Sequence, residues 1–152
     1  MRRPISWLHF RMMQFRLRKL DVDDYDAPHV EVSVSGEGFT ARQDSYIEDE
    51  EWLEFGTALQ SFPQRLDHEV TFENGAPEGE YYCYILLRAF VYDGVGHSAL
   101  EVKISNRSAP PFSASTHFYI PCEAAALNRL GESLVSWARS KEYEYIFSTD
   151  AS

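Results

Sequence analysis

Four aspartates within six residues are the first candidates for chemistry in this chain. They are Asp21, Asp23, Asp24 and Asp26. A calcium loop of the EF-hand type that begins at Asp21 needs an oxygen ligand at its fifth position, glycine at its sixth and glutamate at its twelfth. Those positions hold Tyr25, Asp26 and Val32. We therefore expect a solvated connector without a metal. An improvised divalent-cation site and a negative surface for a partner are the alternatives.

A cysteine and a histidine offer a second candidate. Cys122 falls at the predicted start of a helix, where the helix dipole lowers the pKa of a thiol, and His117 lies five residues before it. No glycine-rich oxyanion turn accompanies them, and the five histidines show no i, i+4 pair and no cysteine at zinc spacing. The P-loop, GxGxxG, GxSxG and HExxH motifs are absent. We expect neither an enzyme nor a bound cofactor or metal.

The charge of the chain is distributed unevenly. Residues 1–20 contain six of the 14 lysines and arginines and no acid, so the rest of the chain sets eight bases against all 24 acids, a formal charge of −16. Such a surface repels nucleic acid and attracts basic partners. The alternative is that the acids only keep the protein in solution. Two cysteines are too few for a secreted disulfide framework, which favours the cytoplasm.

The length of 152 residues is typical of a single domain, 1–152, with its core over 12–147. Arginines interrupt every apolar stretch of the N-terminal segment, so it contains no signal peptide, and no run is long enough to span a membrane. We expect residues 1–11 either to precede the true start of translation or to dock loosely.

Hydrophobic residues that alternate with polar ones predict strands. The first two strands cover 13–17 and 29–34. A hairpin is favoured after the second strand by Ser35, Gly36, Glu37 and Gly38, and it leads into a third strand, 39–46. Four more strands are predicted at 66–73, 81–93, 98–105 and 113–120. The segment 81–93 is apolar in both phases of the alternation, which is typical of a central strand covered on both faces.

A spacing of three and four residues predicts two helices. The first covers 49–61, where Trp52, Phe55, Leu59 and Phe62 share a face, acids crowd the first turn and Pro63 ends the pattern, although Gly56 weakens it. The second covers 122–140, with Pro121 at its start and an apolar face formed by Leu127, Leu130, Leu134 and Trp137. The tail from Tyr143 to Phe147 either adds to the sheet or frays.

These elements predict an α+β fold. Strands joined by short turns form antiparallel sheets, so we expect one antiparallel sheet of about six to seven strands. The two helices, of which the C-terminal one is longer, are expected to pack on one face of it.

The order of elements and several short motifs resemble the WapI-type immunity protein family. The similarity lies in the step Tyr25, Asp26, Ala27 after an acidic connector, in the strand and hairpin that follow, and in the helix that contains Glu51, Trp52, Leu53, Phe55 and Leu59. The closing strand and the helical sequence EAAALNRLGESLVSW are also similar. The resemblance implies a small cytoplasmic protein that binds and neutralises a toxin delivered by neighbouring bacteria.

Charge and resemblance together predict where the partner would bind. The partner is expected to be the C-terminal domain of the cognate toxin, such as a basic nuclease, because an acidic surface attracts a basic one. The candidate partner-binding residues are Asp23, Asp24, Asp26, Glu48, Asp49, Glu50, Glu51 and Glu54. The alternative function is a small-molecule-binding module with a cavity between a curved sheet and the C-terminal helix.

Overall fold

The computed structural model of the chain describes residues 12–21 and 27–149, which form eight strands and two helices in an α+β fold. In chain order these are β1 (Gln14–Asp21), β2 (His29–Gly36), β3 (Phe39–Tyr46), α1 (Asp49–Gln60), β4 (Glu69–Gly75), β5 (Tyr84–Val91), β6 (Ser98–Ser105), β7 (Ser115–Cys122), α2 (Ala124–Ser140) and β8 (Glu144–Ser148). The predictions for residues 1–11 and for Asp23, Asp24 and Asp26 fall outside the described residues. No described helix has the length and apolar character needed to cross a membrane.

One antiparallel sheet, sheet A, has the strand order β3-β2-β1-β8. The alternation predicted for β2 is observed, since Val30, Val32 and Val34 are fully buried. A shift of one residue would turn these valines to solvent, so their burial sets the register of the pairing with β1. The aspartate connector therefore joins two adjacent antiparallel strands, as predicted. The tail adds to the sheet, because β8 pairs with β1.

The second antiparallel sheet, sheet B, has the order β4-β5-β6-β7. β5 is an inner strand, as its composition predicted, and its residues Ile85, Leu87 and Ala89 are fully buried. Leu86 and Arg88, on the opposite face of this strand, are half-buried. The prediction of a strand covered on both faces therefore holds fully for the inner face, and the outer face is only partly covered.

The prediction of a single sheet of six to seven strands is therefore wrong in its count, because eight strands divide into two sheets of four. The division falls where α1 separates β3 from β4, so no tight turn connects the two sheets. A second correction concerns Pro121, which lies in β7 and not at the start of a helix. β7 is an edge strand, and an edge strand tolerates a residue without an N–H group to donate.

Helix α1 packs against both sheets rather than on one face of a single sheet. The ring of Trp52 lies 4.3 Å from the ring of Phe72 in sheet B and 6.1 Å from that of Phe15 in sheet A. All three side chains belong to one hydrophobic core. The large rings of Trp52, Phe15, Tyr145 and Trp137 occupy the space between the sheets and the helices.

The two helices cross at a pair of glycines. A Cβ atom added to Gly56 would lie 2.8 Å from the carbonyl oxygen of Gly131, and one added to Gly131 would lie 2.5 Å from the carbonyl oxygen of Gly56. Glycine has a low helix propensity, but at position 56 it is needed because the two helix backbones approach each other closely there.

Candidate functional site

The start of β2 and the start of α1 lie together at one end of sheet A. β2 begins where β3 ends, since His29 pairs with Tyr46 and the amide of Ile47 donates a hydrogen bond of 3.0 Å to the carbonyl oxygen of Pro28. The aspartate connector leads into Pro28, and the acids of α1 begin directly after Ile47. The topology therefore brings Pro28, which follows the aspartate connector in the sequence, and the start of α1 to the same end of sheet A. We use the name acidic end for the cluster of His29, Asp44, Tyr46 and Tyr82 together with the α1 acids Glu48, Asp49, Glu50, Glu51 and Glu54.

Asp44 is the centre of the hydrogen bonds at the acidic end. Its Oδ2 lies 2.6 Å from Nε2 of His29 and accepts a hydrogen bond of 2.7 Å from the hydroxyl of Tyr82. Burial by itself would raise the pKa of Asp44, but the hydrogen bonds from Tyr82 and His29 outweigh it and lower the pKa. The hydrogen bond to Asp44 raises the pKa of Tyr82 to about 12. Tyr82 therefore remains protonated at neutral pH and donates a hydrogen bond to Asp44.

Aromatic rings flank this carboxylate. The His29 and Tyr46 rings are stacked with centroids 4.8 Å apart, and Tyr46 and Tyr82 meet edge to face at 5.9 Å. Both tyrosines remain more than half exposed. Exposed rings held in place by hydrogen bonds and stacking are typical of protein-binding surfaces, because little conformational entropy is lost when a partner docks.

The turn between β4 and β5 positions Tyr82. Asn74, near the end of β4, accepts a hydrogen bond of 2.6 Å from the hydroxyl of Ser45, and Sγ of Cys83 donates one of 3.7 Å to the carbonyl oxygen of Asp44. Gly75 makes the turn with φ of +80°, and a Cβ atom there would lie 2.0 Å from the carbonyl oxygen of Cys83. Only glycine fits at this position. Gly75 therefore allows the backbone path that places Tyr82 next to Asp44.

The predicted acids of α1 separate into two groups. Asp49 and Glu51 have internal partners: Nζ of Lys19 lies 3.1 Å from Oδ1 of Asp49, and Glu51 accepts a hydrogen bond of 2.9 Å from the amide of Glu48. Glu48, Glu50 and Glu54 are exposed. Glu50 and Glu54 are free to face a partner. Asp49 and Glu51 attach the start of the helix to the domain, and the Glu48 side chain accepts a hydrogen bond from the amide of Glu51 in a capping box.

The ion pair of Asp49 is partly enclosed. The side chain of Lys19 is only 6% exposed, and its Nζ lies 5.1 Å from the centroid of the Trp137 ring. A cation over an aromatic face is attracted to the negative charge of the ring's π system. Lys19 therefore connects β1 to both helices at the acidic end.

The cysteine–histidine pair considered in the sequence is not assembled. Cys122 ends β7 on the inner phase of the strand, and His117 lies on the outer phase, where its Nε2 is 2.7 Å from Glu101. Alternate residues of a strand point to opposite faces, so the two side chains cannot meet. Burial raises the pKa of Cys122 to about 12, whereas its predicted position at a helix start would lower that pKa.

A second hydrogen-bonded carboxylate lies on the outer face of sheet B. Glu101 accepts hydrogen bonds from Nε of Arg88 at 2.6 Å and from the hydroxyl of Tyr119 at 3.3 Å, in addition to its contact with His117. Arg88 also reaches Glu69 at 2.8 Å. Burial would raise the pKa of Glu101, but Arg88 and His117 lower it. Arg88 compensates part of the negative charge of this network, whereas no arginine or lysine in the described part of the chain contacts Asp44.

Sequence reasoning missed four residues of the acidic end: His29, Asp44, Tyr46 and Tyr82. The first three lie in the outward phase of predicted strands, so the alternation contains a signal for their shared face. Tyr82 reaches Asp44 only through the pairing of β4 and β5 and carries no local signal. Comparisons of the chain with known protein families, with curated proteins and with solved structures found no match.

Proposed function

We propose that this chain is a cytoplasmic, non-enzymatic immunity protein that binds and neutralises a basic toxin domain through the acidic end. The observation that carries the proposal is that the start of β2, which follows the aspartate connector in the sequence, lies beside the start of α1 with its acids and near two exposed tyrosines. The resemblance to the WapI-type immunity family points to the same function.

The chemistry of the acidic end suits such a partner. Clustered exposed carboxylates speed the encounter with a basic surface, since they attract it over the Debye length of about 8 Å at physiological salt. Tyrosines at the centre of an interface supply much of the affinity once the surfaces meet. The Tyr82 hydroxyl contacts the carboxylate of Asp44, and the ring of Tyr46 lies against that of Tyr82.

The geometry narrows the set of contact residues. We infer that Glu50 and Glu54 on α1, together with Asp23, Asp24 and Asp26, carry the steering charge, whereas the Glu48 side chain caps the helix. Asp49 and Glu51 hold the start of α1 through Lys19 and the amide of Glu48. Their replacement is expected to act through folding rather than through direct contact.

The proposal is tested by co-expressing the chain with the C-terminal domain of a toxin encoded beside it and measuring protection and complex formation. The double variant Glu50→Lys with Glu54→Lys should slow association by about tenfold or more at low salt, with a smaller effect at high salt. The thermal midpoint should change little, because both side chains are exposed.

The matched control is the double variant Asp67→Lys with Glu132→Lys. It makes the same change in charge at exposed positions outside the acidic end. Equal slowing by both double variants would assign the effect to net charge alone. Absence of both protection and complex formation with the neighbouring toxin would refute the proposal.

The alternative of a small-molecule carrier gains no support from the described core. Trp52, Phe15 and Tyr145 are packed together between sheet A and the helices, at ring separations of 6.1 and 6.2 Å. A carrier would need an apolar cavity of a few hundred Å³ at that place.

A further inference from the structure

A groove of about 280 Å³ crosses the outer face of sheet A beside the acidic end. Its polar lining includes Arg16, Arg18, Arg42, Ser33, Glu31 and Glu144. Three arginines in one groove are unexpected in a chain with a net charge of −10. The groove is therefore a candidate site for a negatively charged ligand.

The strand register places two of these arginines around one serine. Ser33 pairs with Arg16 on one side and with Arg42 on the other. Neighbouring strands are about 4.8 Å apart, so the two arginine backbones are separated by about 10 Å with the serine between them. Two guanidinium groups on the same face can therefore converge above the hydroxyl of Ser33.

The carboxylates of the groove do not neutralise this pair. Glu31 lies 3.4 Å from Arg18, and Glu144 is in register with Arg18 as well. Both belong to the next row of the sheet, about 7 Å along the strands from the row of Arg16. Neither Arg16 nor Arg42 forms an ion pair with a carboxylate in the described part of the chain. The row of Ser33 is therefore locally positive.

We propose that Arg16, Ser33 and Arg42 bind a phosphate group. Each guanidinium presents a planar fork of N–H donors that matches the oxygens of a phosphate, and the serine hydroxyl adds a further donor. A carboxylate has only two oxygens and cannot engage both forks and the hydroxyl fully. The proposal does not depend on toxin binding, because it concerns a different row of the sheet.

The test is a titration of the full chain with sodium phosphate at constant ionic strength, followed by NMR of the arginine Nε–H groups. Saturable shifts of Arg16 and Arg42 are expected, with a Kd on the order of 1 mM. Arg16→Gln and Arg42→Gln should each weaken binding by about tenfold, and Ser33→Ala by less. Arg139→Gln removes the same charge from an exposed position on α2 and should leave binding unchanged.

Parallel titrations with ADP and adenosine identify the source of the phosphate group. Equal binding of inorganic phosphate and ADP would assign the site to phosphate alone, whereas ADP that binds about tenfold more tightly, with no binding of adenosine, would assign it to a nucleotide. The proposal is overturned by shifts that do not saturate, by loss of binding in Arg139→Gln equal to that in Arg16→Gln, or by adenosine that binds as well as ADP.

Discussion

Asp44 on sheet A and Glu101 on sheet B each contact one histidine and accept a hydrogen bond from one tyrosine on the outer face of their sheet. They differ in how the charge is compensated. Glu101 also binds Arg88 at 2.6 Å, and its side chain is 9% exposed. Asp44 has no arginine or lysine partner in the described residues, and its side chain is 35% exposed.

The partners of the two carboxylates also come from different places. Arg88 and Tyr119 lie opposite Glu101 on the adjacent strands β5 and β7, so the sheet register alone assembles that network. Asp44 takes its tyrosine from the turn between β4 and β5 of sheet B. The difference indicates that the Glu101 network stabilises one sheet, whereas the Asp44 cluster joins two sheets at a surface that retains negative charge.

The largest expected effect comes from removing the cation beside Glu101. Arg88→Ala should lower the free energy of unfolding by about 3 kcal/mol, because it leaves a nearly buried carboxylate without its arginine. Lys103→Ala removes a cation from the same face and should cost no more than about 0.5 kcal/mol. Urea unfolding measures both variants. Equal losses would show that Glu101 does not depend on Arg88.

The same contrast can be tested between adjacent acids at the acidic end. Asp49→Ala should destabilise the protein by about 2 kcal/mol, because it leaves the nearly buried ammonium of Lys19 unpaired. Glu50→Ala removes an exposed carboxylate from the same helical turn and should change the free energy of unfolding by about 0.5 kcal/mol or less. A larger loss in Glu50→Ala than in Asp49→Ala would contradict this division of roles.

A smaller effect is expected for the tyrosine of the Asp44 cluster. Tyr82→Phe removes the hydrogen bond to Asp44 and should cost about 1 kcal/mol of unfolding free energy. Tyr46→Phe is the matched control, because the described structure contains no hydrogen bond from the Tyr46 hydroxyl. Tyr46→Phe should lower the free energy of unfolding by no more than about 0.5 kcal/mol. Urea unfolding of the two variants measures both losses, and an equal loss in Tyr46→Phe would contradict the role of the Tyr82 hydrogen bond.

The last prediction concerns alkaline pH. The folded pKa of Tyr82, about 12, lies above the ordinary tyrosine value of about 10, so its contribution to stability is fully present below pH 10 and is lost as the pH rises through about 12. Asp44→Asn should bring the titration of Tyr82 back towards its ordinary value. The difference in tyrosinate absorbance between each protein and its Tyr82→Phe derivative measures this shift. An unchanged Tyr82 titration in Asp44→Asn would show that the Asp44 carboxylate does not cause the raised pKa of Tyr82.

Local patterns predicted most elements of this fold and part of the candidate site. The alternation at Val30, Val32 and Val34 and the helical spacing of Trp52, Phe55 and Leu59 identified β2 and α1, because burial on one face imposes a period on the sequence. The proximity of the start of β2 to the start of α1 could not be derived in the same way. It depends on the antiparallel pairing of β2 with β3, which places residue 28 beside residue 47.

The sequence alone determined the class of the fold, the inward faces of the strands and helices, and the excess of acid, because each of these depends on residue type and short-range spacing. The tertiary structure alone decided that eight strands form two sheets, that Tyr82 reaches Asp44, and that Asp49 pairs with Lys19 while Glu50 faces solvent. These outcomes require contacts between distant segments. Their energies depend on which elements pack together, and the hydrophobic pattern of a single element does not contain that information.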